Sequence, residues 1–234
     1  MIPRCARAAT RATGCTTREL ALASKPIVAC ASFRLIQIKR ECSKTILALG
    51  DISQGHESQS IMAKAADYSA PDHLRDGRPV EIRALRPDDR ADMLATIGRT
   101  SKQSLQQRFF VPKKGFSEQE IAFFLDIDFD SHVALIAQID EVGRPSIVGG
   151  GRYVIVRPGQ AEIAFVVVDA YQGQGIGTIL MRHLIILAHN AGLKELIAEV
   201  LPENSVMLKL LKKFSFKTVS GGSPQVIHLA LRLP

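Results

Sequence analysis

The residues that invite a chemical reading lie in "VVVDAYQGQGIGTIL", positions 166 to 180, where Gly173, Gly175 and Gly177 alternate between a run of valines and a run of aliphatics. A helix that follows a strand offers unpaired N–H groups and the positive end of its macrodipole. A turn stripped of side chains lets an anion reach those groups, so the spacing points to a phosphate or pyrophosphate. The alternative is a glycine-lined turn that serves backbone geometry alone. The pattern is G-x-G-x-G and not the G-x-G-x-x-G of a dinucleotide fold, and no acidic residue sits at the ribose position, about 20 residues on, in a βαβ unit of the right kind. G-K-[ST] is absent, which excludes a nucleotide-hydrolysing P-loop.

A second candidate stands just upstream. Glu162 lies in "AEIAFVVV" among apolar neighbours, where partial desolvation would raise a carboxylate towards neutrality and suit it to accept a proton. The competing explanations are a glutamate at the solvent end of a strand, or one paired with an arginine such as Arg152. No nucleophile elbow occurs and no cysteine follows Cys42, so covalent catalysis is not expected. His132, His183, His189 and His228 show no metal-ligand spacing, and no metal site is expected.

These residues must be positioned by a mixed α/β framework. "PVEIRALRP" alternates as a strand, with Pro87 opening a turn or helix; "DDRADMLATIGRTS" has helical spacing, and "SLQQRFF" follows it. "SEQEIAFFLDI" opens with a capping box, Ser117 and Glu120. "HVALIAQID", "IVGGGRYVIV" and "AEIAFVVV" read as three strands in an antiparallel pattern, the last apolar on both faces and therefore central. Gly149 to Gly151 precede no helix and are expected to form a bulge or tight turn. A helix over "GIGTILMRHLIILAHNAG" carries Ile176, Ile179, Leu180, Leu184 and Leu187 on one stripe, with Gly192 beyond its end. "KELIAEV" is a strand, "PENSVMLKLLKKF" a short helix and "QVIHLALRL" a closing strand.

Charge and cysteine divide the 234 residues unevenly. The first 61 positions hold nine of the 30 Lys/Arg, four of the 23 Asp/Glu and all four cysteines, Cys5, Cys15, Cys30 and Cys42. The remainder is nearly balanced, so no nucleic-acid surface is expected. No run approaches the ~18 apolar residues of a membrane span. Residues 1–61 are expected to be a basic extension, disordered or not native, with Met62 opening a sequence that reads as a natural start; a targeting peptide and a structured element are the alternatives. The folded domain is expected over 78–234 and the location to be cytoplasmic.

"QGQGIG", 172 to 177, resembles the Q/R-x-x-G-x-G/A signature of GCN5-related N-acetyltransferases (GNAT), and the apolar strand before it matches that family. "SLQQRFF", "AEIAFVV" and "ENSVMLKLLKKFSF" are most similar to the acetyltransferase domain of bacterial Pat-type protein-lysine acetyltransferases; the likeness covers roughly 79–220. It implies the GNAT fold, an α/β domain whose mixed, mostly antiparallel central sheet is flanked by helices. It implies acetyl-CoA as donor, its pyrophosphate on the amides of Gln172, Gly173, Gln174, Gly175, Ile176, Gly177 and Thr178. Glu162 would be the general base for direct attack by a primary amine, most simply a protein lysine. The N–H of Val166 would steady the thioester carbonyl, Val167 and Val168 would hold the pantetheine arm, and Asn204 would touch the cofactor or cap its helix. The family's thiolate-protonating Tyr is matched by Leu211, so no dedicated general acid is expected; Ser215 replaces the usual Gly, and Arg182 and Lys209 are candidates for the adenosine phosphate. A small-molecule amine as acceptor, or a non-catalytic acetyl-CoA sensor, are the rival functions.

Overall fold

A computed structural model describes residues 65–220 and 225–234; the expectations for 1–61, including those for the four cysteines, lie outside the described residues. Strands β1 (Ser69–His73) and β2 (Pro79–Ala84) form a hairpin. Three helices follow: α1 (Arg90–Gly98), α2 (Lys102–Phe109) and α3 (Glu118–Leu125). A meander of β3 (His132–Asp140), β4 (Pro145–Arg157) and β5 (Gln160–Val167) leads to α4 (Ile176–Asn190). The chain ends with β6 (Glu195–Val200), α5 (Ser205–Lys213), β7 (Lys217–Thr218) and β8 (Ile227–Arg232). The strands lie in one sheet in the order β1-β2-β3-β4-β5-β6-β8-β7, antiparallel throughout except for β5 against β6.

Most elements fall where periodicity places them, and β5 is central as its two apolar faces require. Three features differ, one of them the two-residue strand β7, which the sequence pattern does not mark. Three helices, not two, separate β2 from β3. β1 also extends the folded unit upstream of residue 78: its "SAPDH" carries Pro71, which pattern reading takes for a breaker but which an edge strand tolerates. Ala65 and Leu74, on either side of β1, are buried in the main core.

Each face of the sheet carries its own core. Helix α4 covers one face with the expected stripe of Ile176, Ile179, Leu180, Leu184 and Leu187, all buried. Gly192, at φ +74°, lets the chain leave α4 while Leu193 N–H still reaches the Ala188 carbonyl at 3.0 Å. On the opposite face α1, α2 and α3 pack Met93, Leu105, Phe109 and Phe124 against Ala134, Ile136 and Val154. Ser117 and Glu120 form the expected capping box at the start of α3.

The connection from β2 into α1 is fixed by a buried ion pair. The Arg83 guanidinium donates to both Asp89 carboxylate oxygens at 2.8 and 2.7 Å and to Gln138 Oε1 at 2.8 Å. Asp89 also accepts from the Arg86 N–H at 2.8 Å, closing the 3-10 turn Pro87–Asp89. The two side chains sit in residues only 8% and 6% exposed. Burial acts to raise the Asp89 carboxyl, but the bonds from Arg83 and Arg86 outweigh it and hold it below the usual carboxylate range. Asp89→Asn should therefore cost about 3–5 kcal/mol in urea unfolding at neutral pH, because it strands a buried guanidinium. The folded carboxyl lies below its unfolded value, so this stabilisation is complete near neutrality and lost as pH falls through the folded value. Wild type and variant should converge in stability at acid pH; an equal gap at both pH values would count against the assignment.

Candidate functional site

The functional geometry begins where two strands stop pairing. The parallel β5–β6 ladder contains only Gln160↔Glu195, Ala161↔Leu196 and Glu162↔Ile197. Beyond Glu162, β5 continues for five residues against β4 alone, and a cleft of about 470 Å³ opens on its other edge. The cleft is lined by Ala164, Phe165, Val166 and Val167 of β5, by the 172–178 loop, and by Asn204, Met207 and Leu210 at α5. Glu162, 7% exposed, occupies the last rung before the strands part.

Strand parity decides which backbone groups face the cleft. Pairing from Gly149↔Val167 to Ile155↔Ala161 has no offset, and Val168 N–H donates to the Val148 carbonyl at 3.0 Å. Alternate residues of a ladder send their N–H groups to the same side. Val166 N–H therefore points to β4 with that of Val168, whereas Phe165 and Val167 turn theirs to the cleft. The Val167 carbonyl does face that way, since Gln172 Nε2 reaches it at 3.1 Å. Val168 is further engaged through its carbonyl, which accepts from Tyr171 N–H, and it is buried outside the cleft lining. Of the main-chain N–H groups in this stretch, it is those of Phe165 and Val167, not of Val166 and Val168, that are turned to the cleft.

The glycine loop has the form its sequence predicts. Gly173 and Gly175 take φ +78° and +102°, left-handed values that a side chain would strain. A Cβ on Gly177 would stand 3.3 Å from Leu210 Cδ2, so this glycine lets α4 approach α5. Among the described residues, no carbonyl or side-chain acceptor takes the N–H groups of residues 173–177, while Thr178 and Ile179 N–H close on the Gly175 carbonyl. Five open amides at a helix N-terminus form an anion cradle. Gln174 points elsewhere: its amide donates to the Ala170 carbonyl and accepts from Arg78. Asn204 lines the cleft and also caps α5, accepting from Met207 N–H at 3.1 Å.

Sequence reasoning missed the loop's basic surroundings. Arg75, from the β1–β2 turn, donates to the Gly173 carbonyl at 3.0 Å through its guanidinium and to the Gln174 carbonyl at 3.0 Å through its N–H. Arg75, Arg108, Lys209 and Lys213 all line the cleft, and no aspartate or glutamate does. Lys209 was a candidate, but nothing local marks Arg75, which lies about a hundred positions upstream of the loop it touches. Arg182 instead pairs with Asp72 at 2.6 Å. Leu211 is fully buried in the core and Leu210 faces the cleft, so neither supplies an acid.

Near Glu162 lies a second basic group. Directly opposed residues share a face of the sheet, and Val154↔Glu162 and Arg152↔Ala164 place Arg152 and Glu162 on the face covered by α1–α3. Arg152 lies 3.1 Å from His132 Nε2 and stacks on the Phe124 ring, 4.9 Å from its centroid. Burial, aided by the nearby charge of Arg108, pushes its guanidinium down to about 9.

Comparisons with known proteins agree with this fold. Residues 102–216 match the acetyltransferase (GNAT) family. The chain is 32% identical over 183 residues to acetyltransferase PA5475 of Pseudomonas aeruginosa, covering 77% of this chain and 98% of that protein. It is 29% identical over 147 residues to acetyltransferase Pat of Mycolicibacterium smegmatis, of whose length the match spans 43%. Its fold superposes on the GNAT domain of S. lividans PAT with a TM-score of 0.66 at 29% identity, covering 70% of this chain and 97% of that one. No helix among the described residues is long and apolar enough to cross a membrane.

One acidic residue buttresses the loop. Asp169 accepts from Ser101 N–H at 2.7 Å and from the Ser101 and Ser104 hydroxyls at 2.8 Å each, tying the first turn of α2 to the segment before the glycines. Partial burial acts to raise its carboxyl, and these bonds more than offset that, holding it below the usual range. Asp169→Ala should speed amide exchange at Ser101 roughly tenfold. In the unmodified protein the same loosening should appear only as pH falls through the depressed carboxyl value; exchange at Ser101 indifferent to the substitution would contradict the buttress.

Proposed function

Because this chain belongs to the acetyltransferase (GNAT) family, acyltransferases dependent on acetyl-CoA, we propose that it acetylates a primary amine, a protein lysine, by direct attack with Glu162 as general base. The single observation that carries this reading is the place of Glu162 on the last rung before β5 and β6 separate. A donor whose diphosphate lies on the 173–177 amides and whose arm runs down the unpaired β5 edge ends beside that carboxylate. The residues fit such a polyanion: five open amides, two left-handed glycines and four cations without an acid.

Each group then has a task. The open amides at the start of α4 and the cleft cations, Arg75 among them, hold the phosphates. Val167 N–H binds the arm as a neighbouring strand would. Phe165 N–H, closer to the vertex, donates to the thioester carbonyl and stabilises charge that develops there during attack. Glu162 takes the proton of the incoming ammonium, directly or through one water, so that the nitrogen lone pair is free. The thioester supplies an activated acyl carbon and a leaving thiolate that departs without a dedicated acid, in keeping with Leu210 and Leu211 at the helix beside it. The acceptor class rests on the Pat-type likeness of "SLQQRFF", "AEIAFVV" and "ENSVMLKLLKKFSF", and the 29% identity to the PAT domain supports it.

Incubation with isotopically labelled acetyl-CoA, a panel of small amines and whole-cell proteins, followed by mass spectrometry, tests the acceptor: label is expected on lysine side chains, and label on small amines alone would replace the protein acceptor. Glu162→Gln should lower the transfer rate by roughly a hundredfold or more while acetyl-CoA affinity stays within about twofold. Equal rates would remove the base assignment. Gly175→Glu, which forces a side chain onto a φ of +102° and sets a carboxylate against the diphosphate, should abolish acetyl-CoA binding by calorimetry; unaltered affinity would remove the loop from the site.

A further inference from the structure

The glycine triplet 149–151 is only partly explained by packing. A Cβ on Gly149 would lie 3.0 Å from the Val166 carbonyl and 3.2 Å from the Ile176 side chain, and one on Gly151 would lie 2.7 Å from the Phe165 ring. Neither position can hold a larger residue without displacing β5. A Cβ on Gly150 meets only the Leu135 carbonyl, at 3.3 Å. Gly150 is opposed by Val166 on one side and Ile136 on the other, so its absent side chain would stand on the face covered by α1–α3. A second cavity of about 70 Å³ lies on that face. Met93, Ile97, Leu105, Phe109, Phe124 and Ile136 form its apolar walls, and Gly150 contributes bare backbone.

This chamber adjoins the cofactor cleft. Ala164, Phe165, Val166 and Arg108 line both. That junction is the deep end of the wedge, two residues past the last β5–β6 rung, where the acyl carbonyl arrives under the reading above. A water molecule claims ~30 Å³ in the liquid, so the chamber has room for at least roughly two groups of that size. Its two charged wall residues, Arg108 and Arg152, are both basic. They oppose an ammonium head and are indifferent to hydrocarbon.

We propose that this chamber receives the alkyl tail of the donor's acyl group, so that the enzyme uses propionyl and butyryl thioesters of CoA as well as acetyl. The inference rests on the cofactor reading above. The chemistry is unchanged by chain length: the amine nitrogen forms a bond to the acyl carbon, the carbon–sulfur bond breaks, the thiolate leaves, and the amine proton passes to the base. Gly150 and Ala164 are then the specificity-determining residues, because each leaves open the space a larger side chain would fill.

Calorimetric titration of the full chain with free CoA and its acetyl, propionyl, butyryl and hexanoyl thioesters tests this. Propionyl and butyryl thioesters should bind at least as tightly as acetyl, with hexanoyl weaker by about tenfold or more. Gly150→Ala should weaken butyryl relative to acetyl by about tenfold, the scale of one methylene in an apolar pocket. Met93→Ala, which enlarges the chamber, should instead bring hexanoyl to within about threefold of butyryl, and it decides the matter if Gly150→Ala does not fold. A wild-type protein that binds CoA and acetyl-CoA but rejects butyryl-CoA overturns the chamber alone. So does an equal effect of Gly150→Ala on every thioester, as would follow if the chamber held the stem of the acceptor amine. A wild-type protein that binds neither free CoA nor any thioester overturns the cofactor reading as well.

Discussion

A β-strand with one edge unpaired is the constraint on which the molecule is organised. Main-chain N–H and C=O groups removed from water demand partners, and β5 has them on the β4 side throughout but on the β6 side only as far as Glu162. The remaining edge is held open by its surroundings: Gln172 takes the Val167 carbonyl, α5 stands across the gap, and the N-terminus of α4 closes the far end. The sheet thereby offers an extended ligand the hydrogen bonds that a continued β6 would have made. The same divergence places the buried Glu162 carboxylate at the vertex, so the open edge and the carboxylate arise from one departure from regular pairing.

Around that opening, rigidity comes from contacts remote in sequence. The β4 bulge leaves Val148 as an extra residue between Gly149 and Ile147, opposite Ala137 and Gln138, and its carbonyl then captures Val168 N–H. This ends the strand and starts the turn that leads to the glycines. Asp169 holds that turn to α2, and Tyr171 bonds Glu141 of the β3–β4 turn, which also pairs with Arg99 after α1. The loop is flexible in composition but fixed in place, as a preorganised anion site requires.

How much of this was legible in the sequence follows from the range of the interaction concerned. The glycine cradle, the central strand, the stripe of α4 and the Ser117–Glu120 cap depend on neighbours within one or two turns, and their spacing exposes them. Glu162 was visible as a charge among apolar residues, though its place at the vertex depends on β6, more than thirty positions away. Arg75 carries no local mark, since only the docking of the first hairpin brings it to the loop. The exchange of Val166 and Val168 for Phe165 and Val167 is a question of parity, which the sequence leaves open because four of the five residues from Ile163 to Val167 are bulky and apolar. Pro71 concealed β1 because a breaker on an edge strand breaks nothing.

The parity of β5 also sets how this protein can change over evolutionary time. Along residues 163–167, Ile163 and Val167 can drift among apolar types, while Ala164, Phe165 and Val166 line both cavities and are held to side chains that fit them. Losing or gaining one residue there would exchange inward and outward amides and turn the carboxylate to the other side of the sheet. Lineages of such a domain should therefore vary at Ile163 and Val167 while keeping the strand's residue count unchanged, with length variation confined to the hairpin tips.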